Sequence, residues 1–286
     1  MNEKNIRRLH PAVRDDIADL MTQRPLPGPG LDQIDPYLFL NHHGPQVYPP
    51  GNRGLPFGPH PHRGFETVTF ILDGELMHKD SAGHESIIGA GGVQWMTAGS
   101  GIVHAELSPP GFLRVGGPLE ILQLWVNLPA RLKMCPPAYT GLQASQIPRI
   151  AADGGKVHIS LIAGEWDGVA GPVRSLTGHF MSTIAFEAGG RLRIDGLAAR
   201  NVFLYVVRGG VQIGPDRASA CHLAELSSAG DSVELVADSD ALLVFGHAAP
   251  LGEPVVAHGP FVMNTREEIA VAMADYQAGR FGTAPR

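Results

Sequence analysis

Residues 59–74 read PHPHRGFETVTFILDG, and this stretch decides what the rest of the chain has to be. From Phe65 to Leu72 the residues are mainly β-branched or aromatic, the composition of a strand rather than a helix. Asp73-Gly74, which follows, is a hairpin dipeptide and predicts that the strand turns back there. Just upstream, His60 and His62 are separated by one residue. With a side-chain period of two, both imidazoles project from the same face of a strand, about 6.6 Å apart at Cα. That separation lets two ring nitrogens converge on one ion at about 2.1 Å.

Downstream of Gly74 the same texture continues: ELMHKD (75–80), a turn at SAGHE, SIIGAGG (86–92), VQWMTA (93–98), IVHAEL (102–107) and EILQLWVNL (120–128). Strands in succession with no helix between them predict an antiparallel sandwich or barrel. Residues 129–150 break the rhythm with prolines. A second series then follows: KVHISLIAGEW (156–166), GHFMSTIAFEAGGRLRI (178–194), NVFLYVVRGGVQIG (201–214) and DSVELVADSDALLVFGH (231–247). The reading is an all-β chain of two tandem β-domains. The first spans 1–133 and opens with a polar arm up to residue 35; a connector follows at 134–150, and the second domain spans 151–286. That second domain ends in a short helix with Thr265 as N-cap, Glu267 and Glu268 in its first turn, and Ile269, Met273 and Tyr276 on one face up to Gly279.

Composition agrees with many short strands and tight turns. Of 286 residues, 44% are hydrophobic and 17% charged, with 36 glycines and 24 prolines. The net charge is −6, and the lysines are Lys4, Lys79, Lys133 and Lys156. Without a basic run, direct nucleic-acid binding has no support. Cys135 and Cys221 are expected as free thiols in a reducing compartment. There is no signal-like apolar region and no run of about 18 apolar residues, so a soluble, cytoplasmic protein without membrane contact is expected.

The chemistry concentrates in the first domain. His104 and Glu106 in IVHAEL repeat the His60/His62 spacing. Two such pairs on neighbouring strands facing a barrel interior would make a three-histidine, one-carboxylate metal site. A lone strand histidine is ordinarily structural, but this doubled pattern without a metal would leave three imidazoles and a carboxylate in a cavity, a costly arrangement. Glu66 competes with Glu106 for the carboxylate place. It lies about 13 Å along a regular strand from His62, so it would need a bend at Gly64 and ranks second. His42 and His43 read as loop caps, with a pocket mouth as the alternative. His78 and His84 flank a turn and are expected to be solvated, and Arg63, facing away from the histidines, is expected in a structural ion pair. The glycine runs 89–92 and 99–101 read as turns rather than phosphate cradles. In the second domain His158, His179, His222, His247 and His258 are scattered singly, which predicts no metal there.

With these residues in hand, HPHRGFETVTFILDGE, GGVQWMTAGSGIVHAE, LQLWVNLP, GEPVVAHGPFVMNT and DYQAGRFG together resemble the pirin family of bicupins, from about residue 35 to 282. The resemblance implies two cupin barrels of jelly-roll type, with metal in the N-terminal one alone. Its ligands would be His60, His62, His104 and Glu106, which turns the carboxylate question against Glu66. It also implies a metal-dependent dioxygenase that opens the heterocycle of flavonols such as quercetin and releases carbon monoxide. Glu106 would accept the proton of the 3-hydroxyl. Mixed imidazole and carboxylate ligation suits Fe(II) first, with nickel, manganese, copper or zinc able to occupy the same ligands. The partners are then a flat aromatic substrate and O₂, with Phe57, Trp95, Met96 and Trp125 as candidate pocket residues. The alternative within the same resemblance is a non-enzymatic, redox-sensitive regulator acting through protein–protein contacts. A third reading is a cupin for some other oxygenated small molecule.

Overall fold

The structure, a computed structural model, describes residues 3–285. It is all-β as expected, and its contacts divide the chain into two units that are discontinuous in sequence. One comprises residues 14–23, 39–145 and 251–286; the other comprises residues up to 13, 24–38 and 146–250. The closing helix therefore groups with the first series of strands rather than with the second. The cause is local packing: Ile269 and Ala272 bury against Val103, Phe261, Met263 and Phe281.

In the first unit the strands Ala138–Leu142, Val93–Thr97, Phe65–Asp73, Gly117–Asn127 and Tyr37–Tyr48 lie side by side in one sheet. A second, four-stranded sheet runs in the order Phe57–His62, Ile102–Leu107, Glu75–Asp80, Glu85–Gly89. The strand Ala138–Leu142, within the stretch expected as a connector, pairs antiparallel with Val93–Thr97. A core cluster that includes Leu20, Tyr48, Ile71, Leu76, Phe112 and Ile121 fills this unit. The other unit repeats the plan. A seven-stranded sheet is ordered Ile6–Pro11, His222–Leu226, Asn201–Arg208, Ala241–Ala248, Phe180–Phe186, Val157–Ala163, Arg149–Ala152. Its four-stranded companion is ordered Arg191–Asp195, Ser232–Ala237, Gly210–Ile213, Asp216–Ser219. The first residues of the chain, read as an arm, thus supply a strand, Ile6–Pro11, that pairs with His222–Leu226.

Asp73-Gly74 is not a hairpin. Phe65–Asp73 pairs with Gly117–Asn127 and Val93–Thr97, whereas Glu75–Asp80 pairs with Ile102–Leu107 and Glu85–Gly89. The chain changes sheets at Gly74, whose φ is +80°, and a Cβ there would overlap the Pro118 carbonyl. Gly209, with φ +71°, does the same between Asn201–Arg208 and Gly210–Ile213. A glycine is needed at each position because both the backbone conformation and the close approach exclude a side chain.

The helix spans Arg266–Gln277 and starts in a capping box between Thr265 and Glu268. Its buried face is Ile269 and Ala272, while Met273 and Tyr276, expected on that face, are 38% and 40% exposed. Cys135 and Cys221 are both half-buried, and neither is in a disulfide. Among the described residues no helix is long and apolar enough to cross a membrane.

Candidate metal centre

The strand Phe57–His62 alternates proline and histidine. Pro59 and Pro61 have no N–H to give to a ladder, which confines the strand to a sheet edge. It occupies that edge, paired to Ile102–Leu107 alone within its sheet. The antiparallel register sets His104 opposite His60 and Ile102 opposite His62. The two-residue periodicity then turns all three imidazoles to one side. Their ring centroids lie 4.8 Å (His60–His62), 4.4 Å (His60–His104) and 4.9 Å (His62–His104) apart. One nitrogen from each lies within 4.8 Å of the others, a spacing that can hold a metal ion.

The electrostatics suit ligation. Burial, followed by the neighbouring His60, pushes His62 down to about 3. His104 is held well below the ordinary histidine range, first by burial and then by the nearby His62, His60 and His78. The buried imidazoles are therefore neutral, the form that binds a cation. His60 Nδ1 donates to the Gly58 carbonyl at 2.7 Å and His62 Nδ1 to the Pro260 carbonyl at 3.4 Å. A carbonyl can only accept, so both rings carry a proton on Nδ1, and Nε2 is the atom left to face a ligand. His104 is 1% exposed, and neither ring nitrogen has a hydrogen-bond partner. An unsatisfied buried imidazole costs on the order of 1–3 kcal/mol. A metal ion accepting the lone pair of its unprotonated nitrogen is what the residue lacks, so the donor set fits the group.

Glu106 is placed differently from the histidines. A register shift between His104 and Glu106 sets the carboxylate residue opposite Phe57, and on its other side it faces His78. Its two oxygens accept from Thr69 Oγ1 at 2.8 Å and from Gln123 Nε2. The carboxylate is buried beside the cluster, on the same strand as His104, and held by two donors from the opposite sheet. Sequence reading passed over Thr69 and Gln123. Their signal was a polar residue at alternate positions within otherwise apolar strands. Glu66 points the other way: its register partner is Thr97, whose Oγ1 donates to its Oε1 at 2.6 Å. Because Thr69 faces Glu106, the odd-numbered residues of that strand face the cavity and Glu66 does not.

The same parity sorts the candidate pocket residues. Trp125 is in register with Thr67, on the cavity side, and its ring lies 5.4 Å from His62 and 4.7 Å from Phe39. Met96 also pairs with Thr67. Trp95 pairs with Val68, on the face of Glu66, so it does not line the cavity. Phe57 is half-buried, 5.2 Å from the His43 ring. His42 and His43 lie inside the strand Tyr37–Tyr48 rather than in a loop. Their partners are structural: Glu120 at 2.9 Å for His42 and Thr22 at 2.8 Å for His43. His84 is exposed as expected, but His78 is not solvated. It is 1% exposed, stacks on Tyr139 at 4.0 Å and bonds Asp80 at 3.0 Å. Arg63 forms the ion pair anticipated, with Asp275 at 2.9 Å.

Residues 19–126 match the pirin family, and residues 181–282 match the pirin C-terminal cupin domain. A pirin-like protein of Caulobacter vibrioides is 41% identical over 268 residues, 93% of this chain and 94% of the relative. The crystal structure of quercetin 2,3-dioxygenase from Acinetobacter baumannii superposes with a TM-score of 0.90 at 34% identity, covering 99% of each chain. A bacterial pirin of Escherichia coli, crystallised in complex with nickel(II), shares the fold at a TM-score of 0.67 and 23% identity, over 85% of this chain and 99% of that one. Two cupin domains, a histidine cluster in the first, and a sequence matched along nearly its whole length make this chain a member of the pirin family.

Proposed function

We propose that the chain is a metal-dependent dioxygenase that opens the heterocycle of flavonols such as quercetin with release of carbon monoxide. His60, His62, His104 and Glu106 would hold the ion, Fe(II) being the first choice for this mixed ligation. The observation that carries the reading is the convergence of three histidines, with the buried His62 and His104 neutral and His104 left unsatisfied. Likeness to a structure described as a quercetin 2,3-dioxygenase supports it. Bound there, the ion would supply Lewis-acid polarisation of the substrate's oxygen atoms and handling of O₂.

The protein's own side chains have separate tasks. Glu106 takes the proton of the flavonol 3-hydroxyl, turning the neutral substrate into an enolate-like anion. Thr69 and Gln123 hold the carboxylate in place for that transfer. Trp125, stacked on Phe39 and tilted against Phe65, gives a flat polyphenol an apolar wall and keeps water from the reacting ring. Two atoms of oxygen enter the substrate, and one ring carbon leaves as carbon monoxide.

The test is the loss of flavonol absorbance with carbon monoxide release by protein loaded with Fe(II), Ni(II) or Mn(II). Glu106→Gln keeps the volume but has no basic oxygen, and should lower kcat by about 10²-fold or more. Undiminished turnover by that variant would remove Glu106 from its role. No turnover with any of the three metals would favour the regulator reading.

A further inference from the structure

The edge strand that carries His60 and His62 is covered on its far end by the C-terminal segment of the same unit. Val262 N donates to the Arg63 carbonyl at 3.0 Å, Arg63 N to the Pro260 carbonyl at 3.4 Å, and Arg63 and Phe261 form a parallel bridge. Three further ties fix this seam. Lys133 Nζ, fully buried, donates to the Gly64 carbonyl at 2.9 Å, the Val262 carbonyl at 3.1 Å and Asn127 Oδ1 at 2.6 Å. Gly64 has φ +88°, and a Cβ there would overlap the Val262 carbonyl. The Arg63 guanidinium reaches across to the helix, donating to Asp275 at 2.9 Å and to the Ser100 carbonyl at 2.7 Å, with the Phe281 ring 4.6 Å from its centre.

Of these ties, the one from Arg63 N ends on the Pro260 carbonyl. Pro260, held by the seam, presents its carbonyl to His62 Nδ1. His60, by contrast, is oriented by Gly58 from its own strand. Two ligands of one prospective ion thus owe their ring orientation to different parts of the chain, and for His62 that part lies some two hundred residues away in sequence. Outer partners that fix the tautomer and ring angle of a ligating histidine commonly change metal affinity 10–100-fold when removed.

We propose that Asp275, through Arg63 and the Pro260 carbonyl, is a positioning residue for the metal centre, selecting the Nδ1–H tautomer of His62. The role extends the metal reading given above, yet part of it is visible in the metal-free protein. The first readout is the long-range ¹H–¹⁵N correlation spectrum of the labelled full-length chain without metal. His62 is expected to be protonated on Nδ1, and Asp275→Ala is expected to give a mixture of tautomers. The second readout is Co(II) affinity and absorption spectrum. The variant should bind about 10-fold or more weakly with an altered ligand-field band, and Asp275→Glu should restore most of both.

Arg280→Ala is the control. Arg280 also pairs with Asp275 but is 69% exposed, and its loss should move neither readout. Asp275→Asn, which keeps the volume and one acceptor oxygen, carries the same measurements if the alanine variant does not fold. An unchanged His62 tautomer with Co(II) affinity within twofold of wild type would overturn the positioning role. If wild type itself bound no Co(II), the metal reading would fall, and the tautomer comparison would still decide what Asp275 does to His62.

Discussion

His104→Ala is expected to abolish metal binding while leaving the metal-free protein nearly as stable as wild type. Two terms oppose one another in the free protein. Removing a buried imidazole leaves a cavity, which for a large-to-small core change costs a few kcal/mol. It also removes a group whose two nitrogens are buried without partners, relieving on the order of 1–3 kcal/mol. With metal the outcome separates. An ion at a thousand times its Kd stabilises the protein that binds it by about 4 kcal/mol, and the variant gains none. The measurement is a denaturant titration of both proteins with and without Co(II) or Ni(II). His42→Ala gives the contrast: it takes a 2.9 Å partner from the buried Glu120, so it should destabilise the protein with or without metal and keep the metal increment. Equal metal-induced stabilisation in wild type and His104→Ala would take His104 out of the ligand set.

The second expected result is acid destabilisation of the unit that lacks the histidine cluster. Burial, then Arg200, pushes His179 down to about 4. Burial, then Arg200 and His179, pushes His247 down to about 3. Arg200 Nε donates to His247 Nδ1, which requires that nitrogen to be unprotonated. Each ring is thus neutral in the folded state and takes a proton near pH 6.5 once unfolded. The stability they contribute is complete above pH 6.5 and is lost as pH falls through the window from 6.5 toward 4 and 3. For His179 the loss is roughly 3 kcal/mol across its window. Trp166, 6.1 Å from Phe180 in the same unit, is the fluorescent reporter. Urea midpoints between pH 7 and pH 4 should fall more steeply in wild type than in His179→Asn or His247→Phe. Identical pH slopes in all three proteins would show that these rings do not titrate on unfolding.

How much of this the sequence discloses depends on whether the deciding contact is local. The His-x-His and His-x-Glu spacings are read through strand periodicity, and the alternating prolines mark the first as an edge strand, so the pairing of His60 with His104 is legible. The register shift between His104 and Glu106 has no signature in IVHAEL, so the spacing alone does not show that the carboxylate sits with Thr69 and Gln123. Asp73-Gly74 has the chemistry of a hairpin turn and of a sheet change alike. The partners of the flanking strands, distant in sequence, decide between them. His78 reads as solvated because its chain neighbours are turn residues, while its burial comes from Tyr139. Trp95 and Met96 are adjacent, so composition cannot say which of them faces inward. The pairing with Val68 and Thr67 does.

The sheet change at Gly74 also bears on how the chain folds. Phe65–Asp73 must wait for Gly117–Asn127, and Phe57–His62 for Ile102–Leu107, so most of this unit forms by closing long loops, the slow route for a chain of this kind. Two local exceptions are the hairpin of Glu75–Asp80 with Glu85–Gly89 and the short ribbon of Val256–His258 with Phe261–Met263; the first of these lies among the barrel strands. An early intermediate built on that hairpin would order none of His60, His62 and His104, because His60 and His62 are set in place by the strand that carries His104. Competence to capture an ion would then arrive late on the pathway, after nearly all of the surrounding barrel has closed.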